Sequence, residues 1–132
     1  MKASKIFSIL TLLAAFVVSL HAGANTAQAE PPQFVIDMLD SHDCPMPGSD
    51  ANGKLIFGGV GEAVVTVENE NFVILTCLGM DITNDSGRAQ VFDEMDFTCS
   101  ILTASGDVVQ ADEARVTITP TGVASMTCKY FK

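Results

Sequence analysis

Two copies of one pattern, each closing on a cysteine, constrain this chain more than any other feature in it. Glu62-Ala63-Val64-Val65-Thr66-Val67 through Leu75-Thr76-Cys77 aligns without gaps on Glu113-Ala114-Arg115-Val116-Thr117-Ile118 through Met126-Thr127-Cys128, with six identities in sixteen positions. Most of the other positions that carry the pattern are conservative pairs, such as Val67 with Ile118 and Leu75 with Met126. A further cysteine precedes each copy: Cys44 lies eighteen residues before Glu62, and Cys99 fourteen before Glu113. The repeated unit is therefore cysteine, loop, hairpin, cysteine, spanning about 44–78 and again about 99–129. A hairpin that cannot bury its apolar face alone can bury it against a twin.

Within each copy the period is two. Ala63, Val65 and Val67 share one strand face while Glu62, Thr66 and Glu68 share the other, and Glu68-Asn69-Glu70-Asn71 breaks the run before Phe72 to Leu78. Alternation of this kind marks half-buried strands. It predicts a core of Ala63, Val65, Val67, Leu75, Ala114, Val116, Ile118 and Met126, with Thr66 and Thr117 on the opposite face. Met95, Phe97, Cys99 and Ile101 form another alternating set that points to the core. Turn chemistry punctuates the chain at Asn84-Asp85-Ser86-Gly87, Ala104-Ser105-Gly106-Asp107 and Thr119-Pro120-Thr121-Gly122. Asn84-Asp85-Ser86 also fits a glycosylation sequon, although its role as a turn is sufficient to explain it. With turns recurring every ten residues or so and no long helical period, the expected fold is all-β. It is a small antiparallel β-sandwich or flattened barrel built on the duplicated unit.

Upstream the pattern is less regular. Phe34 to Leu39 reads as an edge strand or as one to two turns of helix, and Asp40 to Gly53 has the composition of a loop pinned by Cys44. The start of the chain has a different character. A short basic stretch with Lys2 and Lys5 precedes an apolar run from Ile6 to Leu20, and small residues follow through Ala29. That is the form of a secretory signal peptide over 1–29, shorter in its apolar run than the ~20 residues that span a bilayer. Cleavage is expected after Ala29, with Ala24 as the other site of suitable chemistry. The remaining 30–132 supports one domain with a modest core, exported to the periplasm or secreted, with no membrane insertion after cleavage.

An even number of cysteines in a short exported chain indicates a disulfide framework rather than a metal centre. No C-x-x-C pair occurs, and His42 is the one histidine downstream of residue 29. Cys44, Cys77, Cys99 and Cys128 allow three pairings, and the repeat tilts the choice towards Cys44–Cys77 and Cys99–Cys128. Three looser metal sets are present. Met38, His42 and Met46 recur at intervals of four, but Pro45 and Pro47 oppose the helix that would align them. Asp37, Asp40, Asp43 and Asp50, or Asp93, Glu94 and Asp96, offer oxygen ligands that suit weak divalent cation binding without any EF-hand spacing. No metal site or cofactor is assigned.

Losing Lys2 and Lys5 while keeping all sixteen acidic residues shifts the formal charge from −9 to −11. Such a surface repels phosphate backbones, so nucleic acid is excluded as a partner. No catalytic motif is present, and Gly58-Gly59-Val60-Gly61 lacks the strand-then-helix setting of a phosphate loop; it reads as a bulge or bend. The feature that points to function is a mismatch between the copies. Opposite the core, copy one carries Val64, Phe72, Ile74 and Leu78 where copy two has Arg115, Val123, Ser125 and Lys129. If Phe34 to Leu39 covers that apolar row it is core; if not, it is the candidate partner surface. The expected function is a non-enzymatic recognition module for a protein or small ligand. A surface-assembly protein and a small secreted enzyme inhibitor, presenting a loop such as Asp43 to Gly53, are the alternatives.

Overall fold

The computed structural model describes residues 30–37 and 42–132, and Pro31–Lys132 form one compact unit. The expected signal peptide over 1–29, and with it Met38 and Asp40, lies outside the described residues. The fold is an all-β sandwich of two sheets. Among the described residues nine strands follow in chain order: β1 (Gln33–Asp37), β2 (Asp43–Ser49), β3 (Leu55–Glu68), β4 (Phe72–Gly79), β5 (Gln90–Asp93), β6 (Thr98–Leu102), β7 (Val108–Gln110), β8 (Glu113–Ile118) and β9 (Ala124–Phe131). The larger sheet has the order β2-β3-β4-β9-β8-β5 and the smaller one β1-β6-β7.

The duplication sets the centre of the larger sheet. Each copy is a hairpin, β3–β4 or β8–β9, and the two join through β4 and β9 with Thr76 opposite Thr127. Those threonines are equivalent in the repeat, and Leu75 and Cys77 pair with Cys128 and Met126 symmetrically about them. The hairpins are thus related by a local pseudo-two-fold axis through the Thr76–Thr127 pair. Their inner faces make a common floor of Leu75, Cys77, Ala114, Val116, Ile118, Ala124, Met126 and Cys128, all buried. Phe34, Ile36 and Phe97 close the core from the other sheet, with the Phe34 and Phe97 rings edge to face at 5.9 Å.

The two copies differ in one strand, and turn chemistry explains why. In copy two Thr119 N–H donates to the Val123 carbonyl across the three-residue loop Pro120-Thr121-Gly122, and Gly122 takes φ of 90°. Copy one has Asn71 where that glycine would stand. There Asn69 N–H donates to Phe72 carbonyl and the Asn69 side chain accepts from the Asn71 and Phe72 amides, giving a loop of two residues. A shorter loop between strands of equal length shifts the register by one, and the surplus residue, Val64, is expelled as a β-bulge between Ala63 and Val65. Val67 consequently lies opposite Ile74 on the outer face and is 47% exposed, contrary to its expected place in the core. Ala63 stays partly buried against the core, Leu75 and the four copy-two positions are buried, and Thr117 is exposed on the outer face as expected, whereas the same bulge turns Thr66, paired with Leu75, to the inner side of the sheet, contrary to its expected outer place, though it too is exposed. The Val65 side chain lies outside what is described.

Both disulfides follow the repeat, Cys44–Cys77 and Cys99–Cys128, and no described cysteine is free. They do different mechanical work. Cys99–Cys128 ties the smaller sheet to the larger, whereas Cys44–Cys77 links β2 to β4 across the intervening β3. Two strand spacings of ~4.8 Å would separate those strands in a flat sheet; the observed Cα separation of 6.2 Å records how sharply the larger sheet curls into a half-barrel. The curl is tightest where Gly48 and Gly58 meet. A Cβ on Gly58 would lie 2.6 Å from the Gly48 Cα, so only glycine permits the approach, and the β2–β3 ladder slips there, between Met46 and Pro47.

Three segments depart from expectation. Asp43–Ser49, read as loop, is the edge strand β2, with Cys44, Met46 and Ser49 buried; an edge tolerates Pro45 and Pro47 because the missing amides cost no ladder bond on the open side. Gln33–Asp37 is a strand, but it enters parallel to β6 in an otherwise antiparallel fold. Met95 leaves its alternating set and is exposed, because Asp93 and Asp96 fold the chain into a turn: Met95 N–H donates to Asp93 Oδ1 and Asp93 N–H to Asp96 Oδ2.

Candidate functional site

β1 does not fold over the outer row. Its apolar residues Phe34 and Ile36 are buried on the inner side, within the core. Among the row, Val64 and Leu78 are exposed, and Phe72 and Ile74 are half-buried on the outer face of β4. The structure brings Phe72, Ile74 and Leu78 together along one strand with Thr76 between the last two, and places Val64 at the bulge of the adjoining strand.

Cross-strand register extends this row into a surface with two halves. Ile74 is flanked by Val67 on β3 and by Lys129 on β9, which in turn faces Glu113 on β8. The next row runs Thr76, Thr127, Arg115, Asp93. At one end Phe72 lies opposite Phe131, and at the other Leu78 lies opposite Ser125. The β3–β4 half is therefore apolar and the β9–β8–β5 half charged. Lys129 sits on the boundary, its ammonium 4.5 Å from the Phe72 ring centroid and 5.0 Å from that of Phe131. Cation–π attraction of this kind holds a charge over aromatic surface without removing it from water.

Beside that boundary a groove of about 490 Å³ is lined by Ile74, Thr127, Lys129 and Arg115, with Asp93, Glu94 and Glu113 alongside. Glu94 Oε1 accepts from the Ala114 amide, capping β8 where β5 has ended. Among the described residues the ion pair within 4 Å is Lys132–Glu68 at 2.7 Å, which holds the Glu68 carboxyl below its ordinary range. Among the described residues Arg115 and Lys129 have no ion pair within 4 Å. Phe131 and Glu113 carry no surface signal in the sequence, Val67 is expected in the core, and Asp93 and Glu94 stand out only as oxygen ligands for a divalent cation. Val67 is displaced by the bulge, and the groove exists only once β5, β8 and β9 are in register; the missing glycine at Asn71 was the available signal.

Other sequence candidates are dispersed. Met46 is fully buried in the core, which removes it from any thioether-imidazole set. Among the described residues no group of three His, Cys, Asp or Glu side chains is placed to hold a metal. Asp50 instead builds the β2–β3 turn by accepting from the Asn52 and Lys54 amides, each at 2.9 Å. Asn84 donates its amide nitrogen to the Arg88 and Thr119 carbonyls, so the sequon nitrogen is engaged in fixing a turn. Of the segment Asp43 to Gly53, offered as a presenting loop, Asp43–Ser49 is a largely buried strand and 50–53 a partly exposed turn.

Comparison with family models, curated proteins and solved structures gives no match to this chain. Two disulfides suit an oxidising compartment, and among the described residues no helix is long and apolar enough to cross a membrane.

Proposed function

We propose that this chain is an exported, non-enzymatic recognition domain that binds a protein or small-ligand partner through the outer face of β3 and β4, centred on Val64, Phe72, Ile74 and Leu78. One observation carries this: the described part of the segment able to cover the row, β1, packs in the core instead, and among the described residues Val64 and Leu78 stay exposed and Phe72 and Ile74 half-buried. Proteins that act alone seldom leave such contiguous apolar surface in water. An apolar centre bordered by Lys129, Arg115 and Glu113 is also the arrangement of an interface, in which burial supplies affinity and bordering charges fix orientation. Burial against a partner is worth about 25 cal/mol per Å², less the entropic cost of association. The leader-like start and the disulfides support a periplasmic or secreted setting.

The test is Phe72→Asp with Leu78→Asp. Partners recovered from the parent organism's envelope and medium with the native domain are lost with these variants, while circular dichroism and melting are unchanged. Unfolding by both variants would show that the row is core. A surface-assembly role would use the same row, and sedimentation would then show concentration-dependent oligomers that either substitution abolishes.

A further inference from the structure

A second surface, on the smaller sheet, has the properties of a strand acceptor. Among the described residues β7 is an edge strand paired with β6 alone. Ladder bonds on either side of it fix its phase: Thr103 N–H donates to the Asp107 carbonyl and Ala111 N–H to the Cys99 carbonyl. In an antiparallel ladder bonded and non-bonded pairs alternate, so with Ile101 opposite Val109 the residues between, Val108 and Gln110, aim their N–H and C=O groups away from β6. These donors and acceptors, two residues apart, are what an incoming strand needs. An apolar cleft of about 260 Å³ opens beside them, lined by Val109 and Ile101 on one sheet and Val73, Tyr130 and Phe131 on the other, with Lys132, whose ammonium is already paired with Glu68, also lining it. Its volume is below that of drug-sized ligand sites, ~300–1,000 Å³, which suits an anchoring side chain rather than a whole ligand.

Charge selects the occupant. Asp107 and Asp112 flank β7 at its two ends, both exposed, and neither forms an ion pair among the described residues. A second copy of this acidic chain would bring like charge to that edge. We infer that the free edge of β7 and the adjoining cleft bind an extended peptide strand of a basic partner, with an apolar side chain in the cleft and Lys or Arg near Asp107 and Asp112. This site meets the outer face of β4 at Phe131, which lines the cleft and lies opposite Phe72, but its backbone donors and acceptors on β7 do not depend on that face.

The probe is a capped synthetic peptide of the sequence lysine, threonine, valine, leucine, valine, threonine, lysine. Saturating peptide slows amide exchange at Val108 and Gln110 by about tenfold or more, as new backbone bonds protect them. Val109, whose pair with Ile101 already exists, is unchanged. Gln110→Pro removes one outward donor without touching the β6 ladder, which an edge tolerates; it leaves melting intact and weakens the peptide by about tenfold. Replacing the peptide's leucine with aspartate abolishes binding, and raising salt weakens it. Unchanged exchange at Val108 and Gln110 in the native protein overturns the proposal whether or not Gln110→Pro folds. Equal affinity for Gln110→Pro overturns it too, as does a dimer that Gln110→Pro dissolves and no peptide displaces, which would assign the edge to a second copy.

Discussion

Removing the disulfides one at a time measures how the fold is held together. Cys44–Cys77 closes a separation of 33 residues and Cys99–Cys128 one of 29. Loop-closure entropy assigns them about 3.7 and about 3.6 kcal/mol at 25 °C, nearly the same. The loops do not overlap, so the costs should add to about 7 kcal/mol, against the ~5–15 kcal/mol that holds a domain of this size folded. Each cysteine is fully buried, so paired replacement by alanine leaves small cavities that raise the cost rather than lower it. Urea unfolding of Cys44→Ala/Cys77→Ala and Cys99→Ala/Cys128→Ala should therefore show similar losses, each lowering Tm by roughly 15–30 °C, and the fourfold variant should be largely unfolded. Amide exchange then separates the two: loss of Cys99–Cys128 loosens β1, β6 and β7, and loss of Cys44–Cys77 loosens β2. A cost below about 1 kcal/mol for either pair, or the same exchange pattern for both, would refute this account.

Three further outcomes follow from the geometry. Val67 and Ile118 are equivalent in the repeat, yet Ile118→Ala should cost about 2–5 kcal/mol in chemical denaturation and Val67→Ala within about 0.5; equal costs would mean that the bulge at Val64 is absent. Gly58→Ala puts a methyl 2.6 Å from the Gly48 Cα and 2.8 Å from Ile82 Cγ2, and should destabilise by about 1–3 kcal/mol, with exchange in β2 rising first. Tyr130 is the chain's single tyrosine, and burial pushes its phenol well above the ordinary 10.0. Because the folded pKa is raised, the stability linked to it is complete below pH 10 and is lost as pH climbs beyond that, where the unfolded state ionises first. Phenolate absorbance should therefore appear together with unfolding; smooth titration in the native state near the ordinary value would contradict the burial.

Where one residue's neighbours in sequence decide its environment, the chain was legible. Glu113 to Ile118 alternates without a break, and the structure follows it residue by residue. The cysteine pairing was legible as well, because equivalent hairpins place equivalent cysteines alike. β2 was not, since prolines and glycine in Cys44 to Gly48 carry turn propensities that an edge position and one disulfide override. Nor was the parallel docking of β1 on β6, which joins Gln33–Asp37 to Thr98–Leu102, distant in sequence. Of the candidate surface, Phe72, Ile74 and Leu78 were visible as one face of one strand. Lys129, Phe131, Arg115 and Asp93 join them only through the β4–β9 and β5–β8 registers, which no local pattern states.

That register explains how divergence of a repeat produced one surface with two halves. Lys129 stands in copy two where Leu78 stands in copy one, but the pseudo-two-fold axis turns β9 end for end against β4. Lys129 therefore lies not beside its counterpart but beside Ile74, and its ammonium reaches the Phe72 and Phe131 rings. A substitution in one copy is thus always read against different residues of the other. Inner positions are constrained in both copies because both build one core, while outer positions are free to differ, apolar in Val64, Phe72, Ile74 and Leu78 and charged in Arg115 and Lys129. At the boundary the lysine moderates the aromatic surface, keeping water and charge over the half-buried Phe72 ring and the exposed Phe131 ring. If the proposed partner binds there, an asymmetric surface on a nearly symmetric sheet would accept it in one orientation only, because rotation about the axis would set apolar groups against Arg115 and Glu113.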